Sequence, residues 1–255
     1  MSWTVVSASV IGTSHIARSQ ECQDDCWAFE ISLADGRSAL VVFVADGAGS
    51  ASNGGEGARL AIQSAVKLAC DELATPGFVL NEELAGRCVE TVRETIQAEA
   101  WAQQKVPRDF ACTFLGVVAI PDATLVMQIG DGGIVMDVGD GLELAVIPMN
   151  GEYANMTNFV TDENALSLVT TRLINKAAGK IAAFTDGVQR LALNMTENTP
   201  HEPFFKPFFD VLSKSSEDQT EQLGEALASY LGSEPVNART DDDKTLALAV
   251  RLESV

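Results

Sequence analysis

Apolar runs and polar breaks alternate along this chain in a pattern that predicts strands in groups and helices in groups. Near the N-terminus, residues 3–11, 26–33 and 39–45 are predicted strands, and the Asp-Gly pair at 35–36 joins the last two as a hairpin. Further short apolar runs, most of them separated by Gly, Asp and Pro, predict strands over residues 112–120, 124–129, 134–138, 142–147, 165–173, 180–185 and 245–252.

Helical spacing of apolar residues predicts the remaining regular elements. Asn53, followed three residues later by Glu56, resembles a capping box, and a helix is predicted from there to about residue 74. Further helical segments are predicted from Asn81 to about residue 104, over residues 188–193 as a single turn, and over 217–231, whereas residues 148–164 and 194–207 are predicted loops.

The grouping of strands and of helices indicates an α+β fold built from stacked layers. The hairpins predict antiparallel sheets. We find no internal repeat, low-complexity tract or linker, so residues 1–255 are predicted to form one domain.

Composition and charge mainly exclude functions. The net charge of −19, from 36 acidic and 17 basic residues, disfavours nucleic acids and anionic membranes as partners. No apolar run has the length of a membrane span, and the N-terminus lacks the features of a signal peptide, so a cytoplasmic protein is expected. The five cysteines are irregularly spaced and are interpreted as reduced and mostly structural.

Asp-Gly pairs supply the candidate chemistry. The pair at Asp46 follows the continuous apolar run 41–45, and the pair at Asp186 also closes an apolar run. Taken alone, Asp46-Gly47 is more typical of a tight turn, and Asp35 and Asp140 are interpreted as turns between short strands.

Asp131 lies between glycines and is compatible with either a hairpin loop or a functional role. The run Asp241–Asp243 precedes the last strand and, by itself, is typical of a solvated charge cluster. If the strand ends converge, however, these carboxylates form a set of oxygen ligands of the kind that Mg²⁺ and Mn²⁺ prefer. The patterns of P-loop proteins, dinucleotide-binding proteins, zinc sites and Gly-x-Ser-x-Gly hydrolases are absent.

In order and spacing, five stretches resemble the motifs of the metal-dependent, type 2C protein serine/threonine phosphatases. The resemblance covers nearly the whole chain. The stretches are Val42–Gly49, Ala111–Thr113, Ile129–Gly132, Phe184–Val188 and Asp242–Thr245. Two more, Gly12–His15 with Gln23-Asp24 and Asn150–Asn155, are similar to a divergent bacterial branch of that family.

The resemblance implies a four-layer α-β-β-α sandwich, in which two antiparallel sheets are flanked by helices. It also implies two Mn²⁺ or Mg²⁺ ions bridged by Asp46, with the Gly47 carbonyl on one ion and Asp186 and Asp242 on the other. A hydroxide held between the metals would attack the phosphorus of phosphoserine or phosphothreonine directly, without a phosphoenzyme. The implied partners are a phosphorylated protein substrate and a cognate serine/threonine kinase.

Other implied positions are less fully matched. Asp24 corresponds to an N-terminal acid that reaches the metals through water, with Asp25 as a one-residue alternative, and Asp131 would help to hold a weaker third ion. The arginine that grips the phosphate in the family would fall at Ser19, so the neighbouring Arg18, or His15, is the candidate replacement.

Ala48 occupies the position of a histidine that protonates the leaving group in many members of the family. The departures leave two main hypotheses. The first is a Mn²⁺/Mg²⁺-dependent enzyme with Asp46, His15 and Arg18 as its catalytic candidates. The alternative is a pseudophosphatase that binds phosphoproteins, and a phosphatase acting on a small metabolite remains a third.

Overall fold

The computed structural model describes residues 2–146 and 157–252 of the chain, apart from the side chain of Glu217. Its strands are β1 (Ser2–Val10), β2 (Asp24–Ser32), β3 (Ser38–Asp46), β4 (Phe114–Ile120), β5 (Ala123–Ile129), β6 (Gly133–Asp137), β7 (Leu142–Leu144), β8 (Thr170–Ile174), β9 (Lys180–Phe184), β10 (Leu193–Asn194), β11 (Thr199–Pro200) and β12 (Lys244–Leu252).

The helices alternate with these strands and lie mainly in two groups. They are α1 (Thr13–Ala17), α2 (Gly54–Leu73), α3 (Glu83–Ala102), α4 (Ala165–Leu168), α5 (Asp186–Ala192), α6 (Glu202–Leu212), α7 (Thr220–Leu231) and α8 (Glu234–Asn237), with 3₁₀ turns at Pro107–Phe110 and Glu217–Gln219.

Two five-stranded antiparallel sheets form the centre of the fold. One has the order β1-β12-β9-β6-β7 and the other the order β2-β3-β4-β5-β8. One hydrophobic cluster joins α2 and α3 to the second sheet, another joins α5, α6 and α7 to the first, and a third fills the space between the sheets. The predicted α+β, α-β-β-α sandwich with two antiparallel sheets is therefore confirmed.

Strand β3 shows why its sequence is continuously apolar. Val42 and Val44 point into the core between the sheets, whereas Val41 and Phe43 point towards α2 and α3. All four side chains are buried, because β3 has a neighbouring strand on each side and is covered on both faces. The strand ends at Asp46, and a carboxylate at that position is held by a rigid support.

Several predicted elements need correction. The strand predicted over residues 165–173 is instead a helical turn, α4, followed by β8. The turn forms because Ser167 donates from both its backbone N and its hydroxyl to the Asn164 carbonyl. The segment 148–164 was predicted as a loop. Residues 157–164 do lack regular structure, and residues 148–156, with Asn150–Asn155, lie outside the described part.

The loop predicted over residues 194–207 is wrong in its second half, where α6 begins at Glu202. Pro203 stands in the first turn, where a backbone N–H needs no helical partner, so it does not prevent the helix. Pro207 lies inside the helix, which Phe204, Phe205 and Phe209 anchor by packing against the first sheet and α5. The prediction of a loop rests on the prolines, whereas the helix forms because its phenylalanines are buried.

The predicted capping box at the start of α2 also forms differently. Asn53 is the N-cap residue, but its side chain makes no capping hydrogen bond. Instead Asn53 Nδ2 donates to Glu56 Oε2 at 2.8 Å, and its Oδ1 accepts from Lys105 Nζ at 2.7 Å. Within the described ranges, no helix is both long and apolar enough to cross a bilayer.

Candidate metal centre

Asp46 and Asp24 lie directly opposite each other, because β2 and β3 pair with these two residues in register. The backbone of Asp46 is fixed by Thr113, whose hydroxyl accepts from Asp46 N at 2.9 Å and whose N donates to the Asp46 carbonyl at 2.8 Å. Thr113 is the threonine of the Ala111–Thr113 stretch, so its role in the centre is to clamp the end of β3.

Gly47 is needed for close packing. A Cβ at this position would collide with the backbone of Gly54 at the start of α2. Gly47 N donates to the Gln23 carbonyl at 3.0 Å, and an isolated bridge pairs Gly47 with Cys112. The hydrogen bonds of that bridge come from the flanking residues, so the bridge does not use the Gly47 carbonyl.

Asp186 and Asp242 are brought together by the other sheet. Because β9 and β12 are antiparallel neighbours, the end of β9 lies beside the start of β12. Asp186 follows the end of β9 at the start of α5, and Asp242 precedes β12. Gly187 permits this close approach, since a Cβ there would collide with the Asp243 carbonyl oxygen.

Two threonines fix Asp24 and join the two sheets. Thr185 Oγ1 donates to Asp24 Oδ2 at 2.7 Å, and Thr245 Oγ1 contacts the same oxygen at 2.8 Å. Thr245 N also donates to Thr185 Oγ1 at 3.1 Å. Thr185 and Thr245 are the threonines of the Thr-Asp-Gly and Asp-Asp-x-Thr stretches. A threonine is needed at each position because its hydroxyl group holds the carboxylate of Asp24.

Asp131 lies in the turn between β5 and β6, where Gly130 has a φ of +109°. Thr157 Oγ1 donates to Asp131 Oδ2 at 2.7 Å, and Gln189 Nε2 donates to the Asp131 carbonyl. The turn is further supported by Gln128. The turn is not a hairpin loop, because β5 and β6 belong to different sheets. It carries Asp131 from one sheet to the other, close to the other carboxylates.

The electrostatics show how closely the carboxylates are grouped. Burial raises the pKa of Asp46 well above its ordinary value, and the charges of Asp24, Asp186, Asp242 and Asp131 raise it further. Burial raises the pKa of both Asp24 and Asp186, and the neighbouring carboxyl group of Asp46 lowers it, but burial has the larger effect.

The pKa values of two neighbouring acids are raised as well. Burial raises the pKa of Asp24 to about 7. The hydrogen bonds from Thr185 and Thr245 lower this pKa, but their effect is smaller than that of burial. Burial followed by the charges of Asp131 and Asp242 raises the pKa of Asp186 to about 6. Carboxyl groups held this close together favour either protonation or a cation.

The donor set fits a hard divalent cation. Oδ1 of Asp24 and Oδ1 of Asp186 are buried and have no hydrogen-bond partner among the described residues, which is costly unless a ligand satisfies them. No three acidic, histidine or cysteine side chains in residues 2–146 and 157–252 already surround one point as the ligands of a bound ion do.

Asp243 was missed by the sequence reasoning, which singled out only its neighbour Asp242. Asp243 is buried and accepts hydrogen bonds from Gly12 N at 2.6 Å, Gln23 N at 2.6 Å and, at 2.8 Å, His15 Nδ1. It ties α1 and the entry to β2 to the start of β12. No local signal separates two adjacent aspartates, so this role follows only from the packing.

His15 is buried against Asp243, which gives it a structural hydrogen bond beside the centre. Arg18 caps the end of α1 with its side chain exposed, and no described residue accepts a hydrogen bond or ion pair from its guanidinium. The structure brings His15 into contact with Asp243, the neighbour of Asp242, and shows no contact of Arg18 with an acidic residue in the described part of the chain.

Lys244 is a second residue that sequence reasoning passed over. Its side chain is fully buried and donates from Nζ to the Asp242 carbonyl at 3.0 Å. It is the only buried lysine or arginine in the described part of the chain. Burial lowers its pKa, while the nearby carboxylates of Asp243, Asp242 and Asp24 raise it.

The Asp-Gly pairs interpreted as turns are confirmed as turns. Asp35 accepts a hydrogen bond from Arg37 N at 3.0 Å, and Gly36 has a φ of +81°. Asp140 is exposed between Gly139 and Gly141, which both have positive φ. All five cysteines are free, as expected.

Comparison with known proteins identifies the family and the relatives to which the chain is similar. The family model described as Protein phosphatase 2C matches residues 11–228. The chain is 53% identical over 253 residues to Serine/threonine-protein phosphatase 3 of Escherichia coli (strain K12), covering 99% of this chain and 100% of that protein.

Solved structures support the same fold. The catalytic domain of the serine/threonine protein phosphatase PstP, in complex with two manganese ions, matches with a TM-score of 0.65 and 16% identity over 98% of this chain and 99% of that one. PppA of Pseudomonas aeruginosa matches with a TM-score of 0.63 and 15% identity over 98% of each chain. The serine/threonine phosphatase of S. agalactiae matches with a TM-score of 0.61 and 15% identity, over 98% of this chain and all of that one.

Proposed function

Since this chain belongs to the protein phosphatase 2C family, we propose that it is a Mn²⁺/Mg²⁺-dependent phosphatase that removes phosphate from phosphoserine and phosphothreonine in proteins. The observation that carries the proposal is the grouping of Asp24, Asp46, Asp131, Asp186 and Asp242 near the strand ends of two sheets, where the charges of the other four raise the pKa of Asp46. Of these side chains Asp24 is buried and Asp242 is exposed. A relative at 53% identity that carries the name serine/threonine-protein phosphatase supports the same assignment.

We assign the metal ligands by the positions of these residues. Asp46 would bridge two ions, the Gly47 carbonyl would face one of them, and Asp186 and Asp242 would hold the other. Divalent ions bound there would act as Lewis acids on the phosphoryl oxygens and lower the pKa of a coordinated water.

The other roles follow from how each side chain is held. Thr185 and Thr245 bind one oxygen of Asp24, so its free Oδ1 is oriented to accept a hydrogen bond from water near the ions. Asp131, held by Thr157, would contribute to a weaker third ion.

The chain's own residues must also handle the phosphate and the proton. Arg18 is exposed and free to turn towards a phosphate, and we propose it as the substitute for the family's arginine at Ser19. His15, oriented by Asp243, is the proposed proton donor to the leaving seryl or threonyl oxygen, in place of a histidine at Ala48. A proton donor is required there because an alkoxide is a poor leaving group.

The proposed partners are a phosphorylated protein and the kinase that supplies it. The alternative, a phosphoprotein-binding module without activity, draws on Ser19 and Ala48, which replace the family's arginine and histidine. We favour the enzyme because the proposed ligands Asp46, Asp186 and Asp242 are all present.

The direct test measures phosphate release from a phosphoserine peptide while Mn²⁺ is titrated into protein that has been stripped of metal. We expect release to rise with Mn²⁺ and to stop when EDTA is added. Protein that is saturated with Mn²⁺ and binds the peptide without releasing phosphate would show that the binding-module reading is the right one.

A further inference from the structure

Strand β2 is an edge strand, since within the described residues it pairs with β3 and with no other strand. Two hydrogen bonds fix the alternation of this antiparallel pair. Leu33 N donates to the Arg37 carbonyl at 2.7 Å, and Gly47 N donates to the Gln23 carbonyl at 3.0 Å. Odd-numbered residues of β2 therefore bond to β3, and the backbone groups of its even-numbered residues point away from the sheet.

The outward positions differ in how far they are already occupied. Cys26 N donates to Asp25 Oδ1 at 2.8 Å, so this N–H has a partner from its own strand. The N–H groups of Ala28, Glu30 and Ser32 have no hydrogen-bond partner among the described residues. From Ala28 onwards β2 thus presents backbone donors and acceptors to which another strand can pair.

The side chains along this edge carry one sign of charge. No lysine or arginine occurs between Arg18 and Arg37, whereas this stretch has five carboxylates, on Glu21, Asp24, Asp25, Glu30 and Asp35. Arg37, at the far end, is paired with Asp35 and lies near Asp122. The field along the free edge is therefore negative and favours a basic partner.

The edge also leads into the candidate metal centre. Asp24, the first residue of β2, belongs to the carboxylate cluster, and Ala28 follows four residues later, roughly 13 Å away at about 3.3 Å per residue. A cavity of about 540 Å³ lies between the start of β2 and the start of α2. The carboxylates of Glu21, Asp25 and Glu56 line it, together with one cation, Arg59, which is ion-paired with Glu56 at 3.8 Å. This cavity has room for a basic side chain beside the reacting group.

An exposed aromatic pair adds apolar contact area along the same strand. Trp27 is 49% exposed, and its ring lies edge-on to Phe29 with 6.2 Å between centroids. A strand added at this edge would place alternate side chains beside Trp27, as cross-strand neighbours do.

We propose that the free edge of β2 is the substrate-docking strand: an extended, basic segment of the phosphoprotein pairs with the backbone of Ala28, Glu30 and Ser32 and delivers the phosphorylated residue to the centre at Asp24. The segment runs antiparallel to β2, as the other strands of the sheet do and because antiparallel pairing is the more stable. Its basic residues therefore precede the phosphorylated residue. This inference rests on the proposed phosphatase function and names the class of its substrate.

A second copy of this chain is a poorer occupant of the edge. Pairing two β2 strands would place Asp25 and Glu30 of each copy near the same carboxylates of the other, and like charges across a ladder are destabilising. The acidic edge hence disfavours self-association while it attracts a basic strand.

The first test uses the unaltered protein with Mn²⁺ and a twelve-residue peptide that has lysines before a phosphoserine near its C-terminus. Two further versions carry backbone N-methyl groups on every second residue: one on the odd-numbered residues of the peptide, the other on the even-numbered residues. These are the two phases of N-methylation. If the peptide pairs as a strand, one phase blocks the hydrogen bonds to β2 and raises both Kd and KM about fivefold or more, whereas the other phase has little effect. Equal values for both phases would overturn the proposal.

The second test concerns charge and length. Replacing the lysines with glutamines is expected to raise KM several-fold, and the difference should shrink in 0.5 M salt because exposed charges are screened. A peptide that keeps only two residues before the phosphoserine does not reach Ala28, so its KM should be raised in the same way. Peptides with equal KM in all three forms would contradict docking along β2.

Variants of the strand provide the third test. Ala28→Pro removes an outward N–H without removing a hydrogen bond to β3, and Ala28→Ser is the matched control that keeps the N–H. The proline variant should bind the peptide about fivefold more weakly than the serine variant. Its thermal midpoint and its hydrolysis of p-nitrophenyl phosphate report whether fold and centre are intact, and if they are not, the N-methylated peptides still decide.

The result that would refute the proposed phosphatase function differs from the result that would refute docking along β2. It fails if Mn²⁺ supports no phosphate release from either the peptide or p-nitrophenyl phosphate. The docking proposal fails if release is normal but depends on neither N-methylation phase nor charge.

Discussion

The hydroxyl of Thr185 donates a 2.7 Å hydrogen bond to Asp24 Oδ2, although the two residues are 161 positions apart in the chain. Thr185 ends the run of β9 in one sheet, and Asp24 begins β2 in the other. The same hydroxyl accepts a hydrogen bond from Thr245 N. The two sheets are thus joined at the point where the carboxylates converge, and the orientation of Asp24 depends on residues from distant parts of the chain.

Thr185→Val is expected to weaken this junction. It removes a hydrogen bond to a buried carboxyl group and leaves Thr245 N without its acceptor, so the free energy of unfolding should fall by about 2 kcal/mol. The Mn²⁺ concentration at half-maximal activity should rise, because Asp24 is no longer held in one orientation. Thr170→Val on β8 is the control, and equal effects of both substitutions would contradict a special role for Thr185.

Asp46→Asn is expected to reduce Mn²⁺-dependent phosphate release by about 100-fold or more, because it removes the carboxylate proposed to bridge two ions. In metal-free protein the same change should raise the thermal midpoint, since it removes a carboxylate whose charged form is disfavoured by burial and by the neighbouring carboxylates, as its raised pKa indicates. The control is Asp140→Asn, an exposed Asp-Gly pair in a turn. Similar losses in both variants would argue against Asp46 as a ligand.

The stability of the metal-free protein should fall as pH rises from about 5 to about 8. The pKa values of Asp24, about 7, and Asp186, about 6, are raised from 3.8, so the folded state holds these protons more tightly than the unfolded chain. Their contribution is complete below the unfolded pKa and is lost as pH passes through the folded values.

Urea unfolding across this pH range, in EDTA and in Mn²⁺, checks that expectation. Mn²⁺ should remove most of the fall, because a bound cation favours the ionised carboxylates. Asp24→Asn should reduce the slope in EDTA. A metal-free protein that is equally stable at pH 5 and pH 8 would show that the carboxylates do not repel one another in this way.

Lys244→Met should destabilise the metal-free protein by about 2 kcal/mol at pH 8, since it removes a charge-assisted hydrogen bond to the Asp242 carbonyl. Methionine fills a similar volume, so a cavity is not the cause. The loss should be smaller in saturating Mn²⁺, where the ions supply positive charge. Exposed Lys67→Met on α2 is the control, and a loss that Mn²⁺ does not reduce would indicate a packing role alone.

His15→Asn separates a proton donor from a structural residue. If His15 protonates the leaving oxygen, kcat should fall about 100-fold on a phosphoserine peptide but little on p-nitrophenyl phosphate, whose leaving group needs no proton. Equal losses on both substrates would assign His15 to positioning through Asp243 only.

Much of the fold was predictable from local patterns. The run 41–45 is continuous because β3 is covered on both faces, and that pattern indicates a buried strand before any partner is known. The turns at Asp35 and Asp140 follow from local turn chemistry. Helix α6 was not predictable in this way, because its prolines resemble a loop locally and only the buried phenylalanines reveal the helix.

The candidate site likewise has features that the sequence predicts and others that depend on tertiary structure. By itself the sequence determined that Asp46 and Asp186 follow apolar runs, and the order of its motifs determined the family. Only the tertiary structure decided that Asp243 holds His15, that Thr185 and Thr245 hold Asp24, and that Gly47 is required by the nearby start of α2. The physical reason is that a hydrogen bond between distant residues depends on strand register and on how two sheets pack, neither of which local periodicity specifies.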